Sequence, residues 1–389
     1  MEPLPIDPGL LVSAPVIIVS ANEAWNLVHF RRNIIRALID DGFKIVASAP
    51  FDADMSARLE ELGCAFDPVP IDPAGINPLR DAQTMLAYQR IFARHRPIAF
   101  LSWTIKPNLY GAIAARMMGT ISFPNVSGLG TAFMRQNLLN LVVRQLYRHG
   151  LSASKTVFFQ NHDDCSMFVS KGLVRTEQAR ILPGSGVDTG HFAPSGRRRR
   201  PRGRFLMLAR LIADKGVREF VEAARSMKRE NPDLRFTIMG QANVANRTAI
   251  GAGELQDWLD EGVIEYCPPA EDVRPAIEQC DFIVLPSYRE GMSRVLLEAA
   301  AMGRPIITCD VSGCRDIVTD GVNGYLCRAR DAQSLHQAFS RAAATSDEAW
   351  LAMGQAGRRR IEDDFSETMV IDAYRAALTG SGIALPRIS

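Results

Sequence analysis

Short β-branched runs recur along this chain, each followed by a stretch of helical period, and nothing else in the sequence restricts the fold as strongly. Val16-Ile-Ile-Val19 precedes the periodic segment Leu27 to Asp40, and Lys44-Ile-Val-Ala47 precedes Met55 to Leu62. The order continues through Phe100-Leu101, Val157-Phe-Phe159 and Arg180-Ile-Leu182. Such alternation is the signature of βαβ units on a parallel sheet, where every strand needs a helical crossover before the next. It stops at Ala193-Pro-Ser-Gly-Arg-Arg-Arg-Arg-Pro-Arg-Gly203, which has no periodicity and reads as a linker or surface loop. It then restarts with Phe205-Leu-Met-Leu208, Phe236-Thr-Ile238, Val263-Ile264, Phe282-Ile-Val-Leu285 and Pro305-Ile-Ile307.

A chain of 389 residues is longer than one hydrophobic core usually serves, so the two blocks are expected to form two doubly wound α/β domains. The expected boundaries are 1–190, a linker over 191–203, and 204–365, with a last helix in 366–389 available to pack back on the first domain. Doubly wound sheets bind ligands at the carboxyl ends of their strands, which makes the cleft between two of them the expected active site.

A net charge of +2 gives no general pull toward nucleic acid. The seven cysteines include no C-x-x-C pair and sit mostly in apolar stretches, as buried thiols of a reducing cytoplasm do. The opening Met1-Glu-Pro-Leu-Pro lacks a basic, apolar leader, and no apolar run is long enough to span a bilayer, so any membrane contact is expected to be peripheral.

Chemistry concentrates between Pro286 and Pro305. A buried strand runs into a loop holding Glu290 and Gly291, then into a helix starting near Ser293. Gly291 permits close backbone approach, and the amides of Met292, Ser293 and Arg294 form an anion site suited to a diphosphate. Glu290 and Glu298, with seven residues between them, can accept hydrogen bonds from sugar and ribose hydroxyls. Upstream, Leu206-Met-Leu-Ala-Arg-Leu-Ile-Ala-Asp-Lys-Gly216 places Arg210 and Lys215 beyond a strand end, where two cations can neutralise a leaving diphosphate. Each residue alone also reads as a solvated surface charge.

Together, Arg210, Lys215 and the E-x7-E of Glu290 and Glu298 resemble the donor-site signature of family 4 retaining glycosyltransferases, which have the GT-B fold of two Rossmann-like domains facing a central cleft. Asn22-Glu-Ala-Trp-Asn-Leu-Val-His-Phe-Arg31, Thr104-Ile-Lys-Pro-Asn-Leu-Tyr-Gly111, Ser127-Gly-Leu-Gly-Thr-Ala-Phe133 and Phe159-Gln-Asn-His-Asp-Asp164 resemble the bacterial subgroup that extends undecaprenyl-diphosphate-linked sugars for capsule, exopolysaccharide and glycoprotein glycans. The resemblance implies that Arg210 and Lys215 hold the nucleotide diphosphate, Glu290 the transferred sugar and Glu298 the ribose. It places the base near Cys267 to Pro269, before a helix expected from Ala270, and puts Gly128 and Gly130 in a loop closing on donor and acceptor. Many relatives carry a histidine where this chain reads Leu101-Ser-Trp-Thr104, so Lys106 is the expected polar group there, and His162 is expected at the surface or behind the site.

Four further features have two readings each. Asp52-Ala-Asp54 matches the D-x-D pattern of manganese-binding transferases, but its place between strand and helix favours capping, and no metal or other cofactor is expected. Asn137 to His149 is amphipathic, either a core helix or a membrane-surface one, and Arg197 to Arg200 is either a solvated linker or a basic patch for anionic lipid. Arg31 is placed to meet an acceptor diphosphate or to form a structural salt bridge.

The expected reaction is transfer of a sugar, with retention, from a UDP-sugar (a hexose or N-acetylhexosamine) to a polyprenyl-diphosphate-linked saccharide at the cytoplasmic face of the inner membrane. Asn22, Arg31, Lys106, Gly128 and Gly130 are the expected acceptor-side residues. An epimerase of the same fold, a silent nucleotide-sugar-binding subunit and, more remotely, a nicotinamide dehydrogenase are the alternatives; the last lacks a G-x-G-x-x-G after the first strand.

Overall fold

The computed structural model describes residues 14–73, 75, 77–128, 138–194, 203–242, 244 and 246–386. The first block builds β1 (Val16–Ser20), β2 (Lys44–Ser48), β3 (Ala65–Phe66), β4 (Ala99–Trp103), β5 (Ile121–Val126), β6 (Val157–Phe159) and β7 (Ala179–Ile181). These pair in parallel in the order β3-β2-β1-β4-β5-β6-β7. The second block builds β8 (Arg204–Leu208), β9 (Arg235–Met239), β10 (Glu265–Cys267), β11 (Phe282–Leu285), β12 (Ile306–Cys309) and β13 (Gly324–Cys327), parallel in the order β10-β9-β8-β11-β12-β13. Helices cover the faces, so the central strands β4 and β11 are buried throughout and read as largely apolar runs. Chain direction across each sheet reverses beside β1 and β4 in one and beside β8 and β11 in the other, which opens a crevice at those strand ends.

The sequence expectations for two elements need correction. Val263 and Ile264 are buried, but they lie in the turn before β10, whose strand begins at Glu265. The crossing between the blocks comes before the expected linker: Leu182 packs in the core of the first sheet, whereas Val187 and Phe192 pack in that of the second. The chain crosses back beside this point, with Val187 paired to Ser366. Gly186 makes this possible, since at φ +68° a Cβ would fall 2.5 Å from the Glu367 Cα. The Arg197 to Arg200 run lies outside the described residues.

After this second crossing, the helix Glu367–Gly380 lies on the first sheet. Val370, Tyr374 and Leu378 join its core, Asn125 donates to the Tyr374 hydroxyl at 3.0 Å, and Arg375 grips Asp41 with two bonds of 2.8 Å.

Candidate active site

The loops leaving β8 and β11 are stitched together by their backbones. Tyr288 N–H donates to the Asp214 carbonyl at 2.9 Å, and the Ser287 hydroxyl donates to the same oxygen at 3.2 Å. Gly216, at φ +75°, lies so close to Pro286 that a Cβ would be 2.1 Å from its carbonyl oxygen. This contact brings Lys215 to the β11 loop, where its ammonium pairs with the Glu290 carboxylate. Arg210, beyond the same strand end, is exposed, and its guanidinium has no hydrogen bond or ion pair among the described residues.

Beneath the loop lies Gly313, which sequence reading did not single out. Its φ is +75°, and a Cβ there would be 2.6 Å from the carbonyl oxygens of both Glu290 and Gly291. Glu290 N–H donates to the Ser312 carbonyl at 3.3 Å, and Ser293 N–H to the Gly313 carbonyl at 3.2 Å. Of the three amides expected to form an anion site, Ser293 is therefore occupied. Those of Met292 and Arg294 have no acceptor among the described residues, and they open the helix Arg294–Ala301, capped at Ser293. The available signal was a Ser-Gly pair just past a buried strand.

Other expected donor residues are placed differently from the sequence reading. The close approach at Gly291 is to the first domain: a Cβ would be 2.1 Å from the Ser127 carbonyl oxygen. The half-buried Met292 side chain packs against Gly184 in the crossing segment. Glu298 is buried, not solvated. Its carboxylate accepts from Arg294 Nε at 2.6 Å, and burial raises its pKa above the ordinary glutamate value despite that partner. Arg294 also donates to the His29 carbonyl at 2.9 Å and stacks over Phe30, spanning the cleft. Pro268 is exposed just past β10, and the helix expected from Ala270 begins instead at Arg274.

In the first domain, Arg31 links the helices Ala24–Phe30 and Arg32–Asp40 and is only 5% exposed. No carboxylate pairs with it among the described residues, which excludes the salt-bridge reading there; its guanidinium lies 4.9 Å over Trp103 and its Nε has no partner. Burial lowers its pKa to about 10. It lines a cavity with Asn33, Gly186, Arg294 and Tyr374, at the crossing rather than at the open cleft mouth. Lys106 is buried in a 2.6 Å ion pair with Asp81, which also accepts from the Tyr110 hydroxyl, so its charge does not face the cleft. Asn22 N–H donates to Thr104 Oγ1 at 2.9 Å, while its buried side-chain oxygen has no partner among the described residues. Gly128 has φ +147° with open space beside it, and Gly130 lies outside the described residues.

Asp52 caps the helix Ala53–Glu61 through Met55 N–H, and Asp54 pairs with Arg58. His162 is exposed. In the helix Leu138–Leu151, Tyr147 and Leu151 are buried in the first domain's core with Val143 and Leu146 beside them, so the described half faces inward.

Sequence and structure comparisons agree with this architecture. A family profile described as "Glycosyl transferases group 1" matches residues 202–345, the segment holding Arg210, Lys215, Glu290 and Glu298. One relative is the Campylobacter jejuni N,N'-diacetylbacillosaminyl-diphospho-undecaprenol alpha-1,3-N-acetylgalactosaminyltransferase, 25% identical over 81% of this chain and 86% of its own. The chain is a glycosyltransferase, and its residues 202–345 match the group 1 model. An Escherichia coli UDP-Gal:alpha-D-GlcNAc-diphosphoundecaprenol alpha-1,3-galactosyltransferase is 23% identical to this glycosyltransferase over 79% of this chain and 81% of its own. Among solved structures, Anabaena HepE in complex with UDP superposes with TM-score 0.77 at 15% identity, over 94% of this chain and 100% of HepE. Sucrose-phosphate synthase from Thermosynechococcus elongatus does so with TM-score 0.76 at 16% identity, over 94% and 100%. The fold is GT-B.

Proposed function

We propose that this glycosyltransferase moves a hexose or N-acetylhexosamine from a UDP-sugar to a polyprenyl-diphosphate-linked saccharide, with retention at the anomeric carbon and without a catalytic metal. The observation that carries the donor half is the cluster at the ends of β8 and β11. Arg210, without a partner among the described residues, leaves the end of β8, and the Lys215–Glu290 pair and the helix opening at Arg294 follow β8 and β11. Charge developing on a departing diphosphate is stabilised there by two cations and a helix N-terminus already in place. Glu290, steadied by Lys215, offers its second carboxylate oxygen to sugar hydroxyls; Glu298 is placed deeper for the ribose, and Pro268 borders the base.

The acceptor half is supported by the names of the two relatives, both of which act on diphospho-undecaprenol-linked sugars. Both names specify an α-1,3 product, and UDP-hexoses carry their sugar α-linked to phosphate, so an α product here means retention. Front-face attack then needs no protein nucleophile, because the leaving diphosphate takes the acceptor's proton and the enzyme supplies orientation and charge stabilisation. Asn22 and Gly128 border the acceptor, whereas Arg31 and Lys106 act by holding the strand ends beneath it. A lipid-linked acceptor requires peripheral contact with the cytoplasmic face of the inner membrane. Among the described residues, no helix is long and apolar enough to cross a membrane.

The test is stereochemical. The enzyme is incubated with UDP-sugars and vesicles carrying a polyprenyl-diphosphate saccharide, and the new linkage is read by NMR. An α linkage is expected; a β linkage overturns the retaining assignment.

A further inference from the structure

The N-terminal tip of the helix His162–Ser170, in the first domain, is bound to the loop that carries Glu290 in the second. Asn161 caps this helix by accepting Asp164 N–H at 2.8 Å, and its Nδ2 donates across the cleft to the Gly291 carbonyl at 2.8 Å. Asp164 has a fully buried carboxylate that accepts from Asn161 Nδ2 at 3.2 Å and from the Arg289 guanidinium of the opposite domain. Asp163 reaches the same domain through Arg315 at 2.7 Å. Glu290 therefore lies between two residues, Arg289 and Gly291, that both contact the first domain, and the Gly291 backbone rests on Ser127.

Separating the domains would remove the guanidinium from Asp164 and leave a buried carboxylate without a cation, a state disfavoured until water reaches it. Separation would also free both residues flanking Glu290. We infer that Asn161 and Asp164 are positioning residues that set Glu290 against the donor sugar only when the two domains are closed, coupling closure to turnover. The inference rests on the proposed transfer from a UDP-sugar, in which Glu290 contacts the sugar and the nucleotide is held elsewhere.

A double-mutant cycle of Asp164→Asn and Arg289→Met tests it, reading kcat with a saturating UDP-sugar, UDP affinity by calorimetry and thermal midpoint. Each single variant is expected to lower kcat about ten-fold, since a small displacement of a sugar-contacting group is enough, while UDP affinity changes by less than about two-fold. The double variant should be no slower than the slower single, because both remove one interaction. Arg289→Lys, which keeps the charge, should recover part of the rate. If Asp164→Asn does not fold, the comparison of Arg289→Met with Arg289→Lys decides, since Arg289 is partly exposed. Unchanged kcat, losses that multiply in the double variant, or a loss of UDP affinity in Arg289→Met alone would overturn the inference. A wild-type enzyme inactive on every donor and acceptor would instead count against the transfer reaction itself.

Discussion

Arg210 and Lys215 leave the same strand end but are held differently, and the difference separates their mutants. Arg210 is exposed and has no partner among the described residues, so Arg210→Ala should lower kcat by about 100-fold, as loss of one preorganised donor does, with the thermal midpoint unchanged. Full turnover in that variant would remove Arg210 from the site. Glu298 makes a pH prediction. Its folded pKa is raised, so its contribution to stability is fully present below the ordinary value near 4.5 and is lost as pH rises through the folded pKa. The stability of wild type relative to Glu298→Gln should therefore be flat in acid and decline above that range, which thermal melts of both proteins across pH will show. Arg210, Lys215, Glu290 and Glu298 were legible as residue types in a known spacing. The pairing of Lys106 with Asp81, 25 residues earlier, was not, because a long-range ion pair leaves no local pattern.

Among the elements, the loop after β12 constrains the site more than its sequence announces. Gly313→Ala should cost about 1–3 kcal/mol of stability, because φ is positive there and a Cβ would press on the backbone carrying Glu290. Donor KM should rise as well, measured by initial rates against UDP-sugar concentration; an unchanged KM would detach this loop from the donor site. Strands with continuous apolar runs, such as β1, β8 and β11, were legible from the sequence. β5 was not, since Ser122, Pro124 and Asn125 break its apolar pattern while remaining buried among side-chain and backbone partners. The shift of β10 has a related cause: Val263 and Ile264 are apolar because they cover the core as a turn.

At the scale of the whole molecule, the returning helix Glu367–Gly380 makes the first domain's core depend on the end of the chain. Tyr374→Ala, which removes a fully buried ring and its bond to Asn125, should destabilise the protein by about 3–5 kcal/mol. Denaturant unfolding checks this, and a loss near zero would mean that the helix only rests on the surface. The two-block organisation was legible from alternation alone. The early crossing at 183–186 was not, because it depends on a close backbone contact between segments about 180 residues apart in sequence, of the kind that loop-closure physics permits but local pattern does not record. In the proposed reaction, a UDP-sugar held by the second domain is consumed only when a lipid-linked acceptor meets it from the first. Nucleotide release from UDP- and GDP-sugars, measured with and without polyprenyl-diphosphate-linked saccharides, tests this most directly. UDP release that requires the acceptor is the expected result. Sugar interconversion without nucleotide release, or release that ignores the acceptor, would contradict it.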